Sequence, residues 1–190
     1  MRFAPERKYD KSRRGGFPSP PPAGETMDPT MLQGYFPGVV GWVTRAHALY
    51  YHRHWGFDAS FEIQVASELA AFVVSYDPLR DGLWTAWREG RTAGAIAIDG
   101  REASSAGARL RWFLVQPEFH GAGIGGQLIR TAVGFCRQRC YPRVFLWTFQ
   151  GLTAARGLYE KFGFILCEEH DVAQWGQRIR EQKYKLNLES

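Results

Sequence analysis

The stretch Leu114-Val115-Gln116-Pro117-Glu118-Phe119-His120-Gly121-Ala122-Gly123-Ile124-Gly125-Gly126-Gln127-Leu128-Ile129 decides how the chain is read. An apolar strand ends at Pro117, four glycines follow, and the apolar spacing of a helix then begins. Glycines let successive backbone N–H groups converge without Cβ interference, and a new helix adds its positive N-terminal end. Together they predict an anion site suited to a phosphate or pyrophosphate. A nucleoside-triphosphate loop is excluded, because no Gly-Lys-Ser/Thr follows. Gly121-x-Gly123-x-x-Gly126 matches a dinucleotide fingerprint literally, but its context disagrees. Gln116 to His120 separate it from the strand, several elements precede it, and the next strand ends Trp147-Thr148-Phe149-Gln150 without an acid for a ribose.

Working outward, Arg109 to Val115 reads as a strand with Leu110, Trp112 and Leu114 on one face. Before it, Leu83 to Arg88 and Thr92 to Ile98 form a hairpin around Glu89-Gly90. The second of these, apolar on both faces, should be central in its sheet. Asp99 to Gly107 is a polar loop. Further back, Val39 to Thr44 reads as a short strand and Ala46 to His54 as a helix. A second helix, capped by Asp58 or Ser60, carries Phe61, Val65, Leu69, Phe72 and Val73 on one stripe and ends at Asp77-Pro78. Downstream, Gly125 to Arg139 is a helix, Arg143 to Thr148 a strand, and Thr153 to Phe162 a helix stopped by Gly163. Phe164 to Glu168 and Lys183 to Leu188 close the sheet, leaving Asp171 to Arg180 as a loop.

The chain has 190 residues, 45% of them apolar, enough for one domain with a sizeable core. Its formal charge is +5, but residues 1–14 hold six Lys/Arg against two acids, so the rest is close to neutral. That argues against a nucleic-acid face. No apolar run approaches the ~20 residues that span a bilayer, and the start lacks an apolar signal core. The expected setting is reduced, soluble and cytoplasmic. Residues 1–33, with Gly15-Gly16 and Pro20-Pro21-Pro22, read as a disordered basic leader before a single domain over 34–190.

Two blocks carry a family resemblance. Val115-Gln116-Pro117 followed by His120-Gly121-Ala122-Gly123-Ile124-Gly125 resembles the main signature of the GNAT superfamily of acetyl-CoA-dependent N-acyltransferases. Ala155-Arg156-Gly157-Leu158-Tyr159, then Gly163-Phe164, resembles the second. The two blocks are separated by a helix and a strand, as usual there. The resemblance covers about residues 38–188. Gly41-Trp42-Val43, His47, Tyr50, Trp55-Gly56 and Leu146-Trp147-Thr148 also look like acetyltransferase domains fused to MarR-type regulators, though no winged helix accompanies them here. Two positions depart from the pattern: His120 stands where Arg or Gln is usual, and Leu152 where many members have Asn.

The resemblance implies a mixed α/β single domain with a splayed, mostly antiparallel central sheet flanked by helices. Acetyl-CoA would be the co-substrate, with no metal. Its pantetheine would lie against Phe113, Leu114 and Val115, and its pyrophosphate on His120, Gly121, Ala122, Gly123, Ile124, Gly125 and Gly126, with Ala155 and Tyr159 completing the site. The Val115 N–H would polarise the thioester carbonyl and Tyr159 would protonate the departing thiolate. The implied reaction is direct attack by a primary amine, small molecule or peptide, in a ternary complex. A non-catalytic acyl-CoA sensor is the alternative, and a homodimer fits the family's habit. A base is also needed, because an alkyl ammonium has a pKa near ~10.4. Glu118, His47 and His170 are candidates. His47, His52 and His54 lack the partners of a metal set. Cys136 and Cys140 read as apolar helix residues, and most of the seven tryptophans as core.

Overall fold

The computed structural model describes residues 29–188. The elements are β1 (Thr30–Gln33), α1 (Val39–Trp55), α2 (Ala59–Val74), β2 (Gly82–Arg88), β3 (Arg91–Asp99), β4 (Ala108–Val115), α3 (Ile124–Gln138), β5 (Arg143–Phe149), α4 (Thr153–Lys161), β6 (Ile165–Gln174) and β7 (Gln177–Asn187). They form a seven-stranded sheet of order β1-β2-β3-β4-β5-β7-β6, antiparallel except between β4 and β5. Among the described residues no helix is long and apolar enough to cross a membrane.

Two apolar layers sandwich the sheet. Strand β3 feeds both by simple alternation: Ile96 and Ile98 pack with Leu128, Ile129, Ala132 and Val133 of α3, while Ala95 and Ala97 pack under Phe61, Leu69 and Phe72 of α2. The Glu89-Gly90 turn has both residues at positive φ (54° and 71°), the twist that a two-residue hairpin needs. Asp58 caps α2 by accepting from the Ser60 N–H at 2.9 Å.

Four expectations are corrected. Thr30–Gln33, assigned to the leader, pairs with Gln33↔Trp84 through Thr30↔Trp87 as an edge strand; residues 1–28 lie outside the described part. Val39 to Thr44 is the first turn and a half of α1, not a strand. Val39, Val43, Ala46 and His47 are buried at helical spacing, which a short apolar run cannot reveal by itself. Asp171 to Arg180 is not a loop: β6 and β7 run on through it and turn at Trp175-Gly176, with φ of 54° and 75°. Finally, Leu110, Trp112 and Leu114 do not share one face. Strand β4 carries a bulge: Ala97 faces Arg111 and Ala95 faces Leu114, so two β4 residues oppose one β3 residue, and Trp112 sits at φ 45°. Leu110 therefore packs with α3, while Trp112 packs against Phe72 of α2, ring centroids 5.3 Å apart.

Phe72 is fully buried and supports the bulge from above. Phe72→Ala is expected to cost about 3–5 kcal/mol of unfolding free energy in urea melts. Ile63→Ala, on the same helix but 65% exposed, should stay within about 0.5 kcal/mol. Equal losses in the two variants would contradict this account of the core.

Candidate active site

The sheet opens beside the bulge. Strands β4 and β5 pair only at Ala108↔Val144 and Arg109↔Phe145. Beyond that point β4 stays on β3 as far as Val115, and β5 stays on β7 as far as Phe149. The facing edges separate. Gln116 donates its N–H to Ala93 O at 2.8 Å, so strand alternation turns the Val115 N–H and C=O outward, into the gap. The same alternation points the peptide groups of Leu114 back at β3. Leu114 lines the cavity beside the gap as well, with its backbone groups turned toward β3.

The glycine loop meets the open edge at its end. Gly121 and Gly123 adopt φ of 81° and 78°, a region that L side chains resist, although each would have open space for a Cβ. Gly125 is constrained differently: a Cβ there would lie 3.0 Å from Leu158 of α4 and 3.4 Å from Phe113. The first intrahelical bond of α3 runs from the Gln127 N–H to Gly123 O at 3.1 Å. The amides of Ile124, Gly125 and Gly126 therefore have no intrahelical acceptor and sit at the positive end of a 15-residue helix.

A cavity of about 400 Å³ joins these features. Phe113, Leu114, Val115, His120, Gly121, Gly123, Ile124, Gly125 and Gly126 line one side and Gly151 to Ala155 the other, roofed by Tyr50, Tyr51 and Trp55 of α1. Ala122 does not reach it and packs against the α3 core instead. His120 lines it, but its ring Nε2 donates to Val115 O at 2.9 Å rather than pointing along the amides.

A second cavity of about 190 Å³ lies across the gap, between the sheet and α1/α2. Phe113, Tyr51 and Leu152 belong to both walls. Tyr159 lines the second cavity and is 5% exposed, with Phe113 at 5.9 Å between ring centroids. Burial first, then the neighbouring Tyr51 and Tyr184 hydroxyls, hold its phenol well above the ordinary range, so it stays protonated at neutral pH. The tip of the β6–β7 hairpin closes this cavity: Trp175 Nε1 donates to Gln64 Oε1 at 2.8 Å, and the Asp58 N–H donates to Trp175 O at 3.1 Å.

The proposed bases separate. Glu118 lines neither cavity; its carboxylate is half exposed, 3.9 Å from Arg91. His47 lines the second cavity, but burial pushes it down to about 4, and its Nδ1 donates to Val43 O at 2.8 Å. His170 lies 3.4 Å from Glu181, which does line that cavity. Sequence reasoning missed Glu181, Arg109, Arg111 and Glu68, all on its wall. No apolar alternation marks such residues. The only signal was the pair of charges, Arg109 and Arg111, on a strand otherwise expected to be buried; Glu68 lies on a helix and Glu181 outside the expected last strand. Among the described residues, no three His, Cys, Asp or Glu side chains cluster as a metal would require; His52 instead donates to Phe57 O at 2.8 Å.

Comparison with known proteins follows the same lines. The model of the acetyltransferase (GNAT) family matches residues 46–164. A mycothiol acetyltransferase of Salinispora tropica is 28% identical over 167 residues, 83% of this chain and 52% of that protein. Human N-acetyltransferase 8B is 33% identical over 88 residues, 46% of this chain and 39% of that one. The chain thus spans about half or less of these curated relatives. Among solved structures, a ribosomal-protein-alanine N-acetyltransferase of Brucella melitensis aligns with TM-score 0.65 at 15% identity, covering 84% of this chain and 99% of that one. A GNAT family acetyltransferase of Elizabethkingia anophelis, with acetyl-CoA bound, aligns with TM-score 0.59 at 14% identity over 86% of this chain and all of its own. At such identities the structures speak to the fold.

The buried His47 ring makes stability depend on pH. In an unfolded chain the ring titrates near 6.5 and here near 4, so between those values the unfolded state binds the extra proton. Stability is expected to fall as pH drops from 6.5 toward 4, by up to about 3 kcal/mol from this group. His47→Gln should lose less of its urea midpoint than wild type between pH 7 and pH 4.5. Parallel losses would show that other groups carry the effect.

Proposed function

The chain belongs to the acetyltransferase (GNAT) family, and from that premise we propose that it moves an acetyl group from acetyl-CoA to a primary amine by direct attack in a ternary complex. The reading rests on one observation: the open edge of β4 runs without interruption into the free amides of α3 along a single cavity. A pantetheine arm carries amides that can complete the edge as an extra strand, in the manner of β-augmentation. Its diphosphate then falls on Ile124, Gly125 and Gly126, where a helix N-terminus favours negative charge. The name of human N-acetyltransferase 8B, which is 33% identical over its matched part, favours nitrogen as the acceptor atom.

The thioester carbonyl would sit against the Val115 N–H. A preorganised donor at a developing oxyanion contributes on the order of 3 kcal/mol to catalysis. Tyr159 would donate to the departing thiolate. Its raised pKa keeps the phenol protonated at neutral pH, so the proton is available; because a thiol's ~8.5 lies lower, full transfer runs uphill and the hydroxyl acts chiefly by hydrogen-bonding the thiolate as it departs. The acceptor ammonium must first lose a proton. We assign that step to Glu181, the second cavity's carboxylate that is not paired with an arginine, with His170 beside it.

The test has two parts. Calorimetry with acetyl-CoA should give saturable binding, and no heat would end the proposal. In a thiol-release assay over an amine panel, Tyr159→Phe is expected to lower kcat by about 10²–10⁴-fold while keeping acetyl-CoA affinity within a few-fold. Full turnover by Tyr159→Phe would remove the role. Binding without release by the wild type would leave an acyl-CoA sensor. Glu181→Gln should lower kcat most at low pH, where deprotonating the acceptor is hardest; an unchanged pH profile would exclude it as base.

A further inference from the structure

The second cavity holds an arginine that, among the described residues, makes no ion pair. Strand β4 sends Arg109 and Arg111 to the same face, two residues apart, and both line that cavity. Arg111 is compensated: its guanidinium pairs with Glu68 of α2, lies 3.7 Å from Asp99 and stacks 4.2 Å over the Trp112 ring. Asp99 stands across from Arg109 in the register, yet its carboxylate is taken by Arg101 and Arg111. Burial foremost, then the neighbouring Arg109 charge, pull the Arg111 pKa down, so the two guanidiniums feel each other. Among the described residues Arg109 itself makes no ion pair and no side-chain hydrogen bond, although it is only partly exposed.

We propose that Arg109 is the carboxylate-recognising residue of the acceptor cavity, so that the acceptor is an amine that also bears a carboxylate. The inference rests on the acetyltransfer reading above and names its substrate class. A guanidinium fork matches a planar carboxylate with two parallel hydrogen bonds. Half-buried, it interacts with an anion through a lower effective dielectric than water. The other charges of the wall favour a monoanion over a phosphate dianion. Glu68 and Glu181 line the same space, and only one of them is balanced by an arginine. Arg109 also stands where β4 and β5 last touch, at Arg109↔Phe145, whereas Glu181 is opposite Phe149 further up the gap. An acceptor therefore meets a cation where the strands still pair and a carboxylate further along the gap, which orients it with its amine toward Glu181. With about 190 Å³, the cavity takes the volume of about six waters, which suits a small molecule.

The test uses matched pairs differing only in the acid: L-phenylalanine against 2-phenylethylamine, and 5-aminopentanoate against pentylamine. In thiol-release assays the wild type should show a kcat/KM at least tenfold higher for the better carboxylated partner, carried mainly by KM. Arg109→Gln should collapse that ratio to near one, and Arg109→Lys should leave it intermediate. A wild-type ratio of one or less, or a ratio that survives Arg109→Gln, overturns the proposal. An independent readout is quenching of tryptophan fluorescence by 3-phenylpropanoate, which has no amine. It should saturate with the wild type and weaken at least tenfold in Arg109→Gln, whose thermal midpoint and acetyl-CoA affinity serve as folding controls. Where Arg109→Gln fails those controls, Arg109→Lys decides by the same ratio and the same titration. No saturable quenching, or equal quenching in wild type and variant, counts against the anion site. Acetyl-CoA turnover on uncharged amines alone would refute the substrate class and leave the acetyltransfer reading standing. Arg109-dependent binding of 3-phenylpropanoate with no thiol release from any amine would do the reverse.

Discussion

The loss of pairing between β4 and β5 after Arg109↔Phe145 is the constraint around which the rest is arranged. A sheet normally satisfies both edges of an interior strand, because an unpaired backbone donor or acceptor away from water costs about 1–3 kcal/mol. Here two interior strands each give up one edge. The gap persists because each strand is held firmly on its other side, β4 by β3 and β5 by β7. A bulge at Trp112 follows the last β4–β5 pair, and the Trp112 ring is held by Phe72 and by the Arg111 guanidinium. An edge kept open in this way leaves backbone groups that an added strand could pair.

The same bulge divides the labour between the two faces. Past it, Phe113 and Val115 face α3 and α4, where the glycine loop and Leu158 set the width of the groove. Before it, Arg111 faces α2. Two cavities result, and Phe113, Tyr51 and Leu152 form the wall they share. Tyr159 sits behind that wall in contact with Phe113, Phe164 and Tyr184, at ring distances of 5.9–6.0 Å. A proton donor placed at such a partition can serve a group arriving from one side while the attacking atom enters from the other.

The glycine loop, its helix and the Ala155–Tyr159 block were legible in the sequence because each depends on local chemistry: positive φ, free amides and helical spacing. So was the central hairpin, through its turn residues and the apolar run of β3. What escaped was set by tertiary context. The first turns of α1 are as apolar as a strand, and only their burial at every third or fourth residue tells the two apart. Strand β6, read only as far as Glu168, is largely exposed on both faces, so its continuation lacks the alternation by which strands are recognised. It is held instead by cross-strand charges such as Glu169 with Arg180 and Glu168 with Lys183. The bulge leaves no mark in composition at all, since tryptophan is among the residues least suited to positive φ. Because the bulge decides which β4 side chains reach which cavity, the acceptor side was the least readable part of the molecule.

His120 shows how one substitution in a loop redistributes work. A long Arg or Gln at that position could extend along the loop toward an anion, whereas an imidazole is short and planar. It folds back instead and donates to Val115 O, the last carbonyl facing the gap. The bond ties the start of the glycine loop to the end of β4, so the free amides of α3 and the free N–H of Val115 are held in one frame. The unpaired donors at this corner are therefore backbone amides, set by helix geometry rather than by a titrating group. With one carbonyl already occupied, the open edge presents the Val115 N–H as its terminal unsatisfied donor.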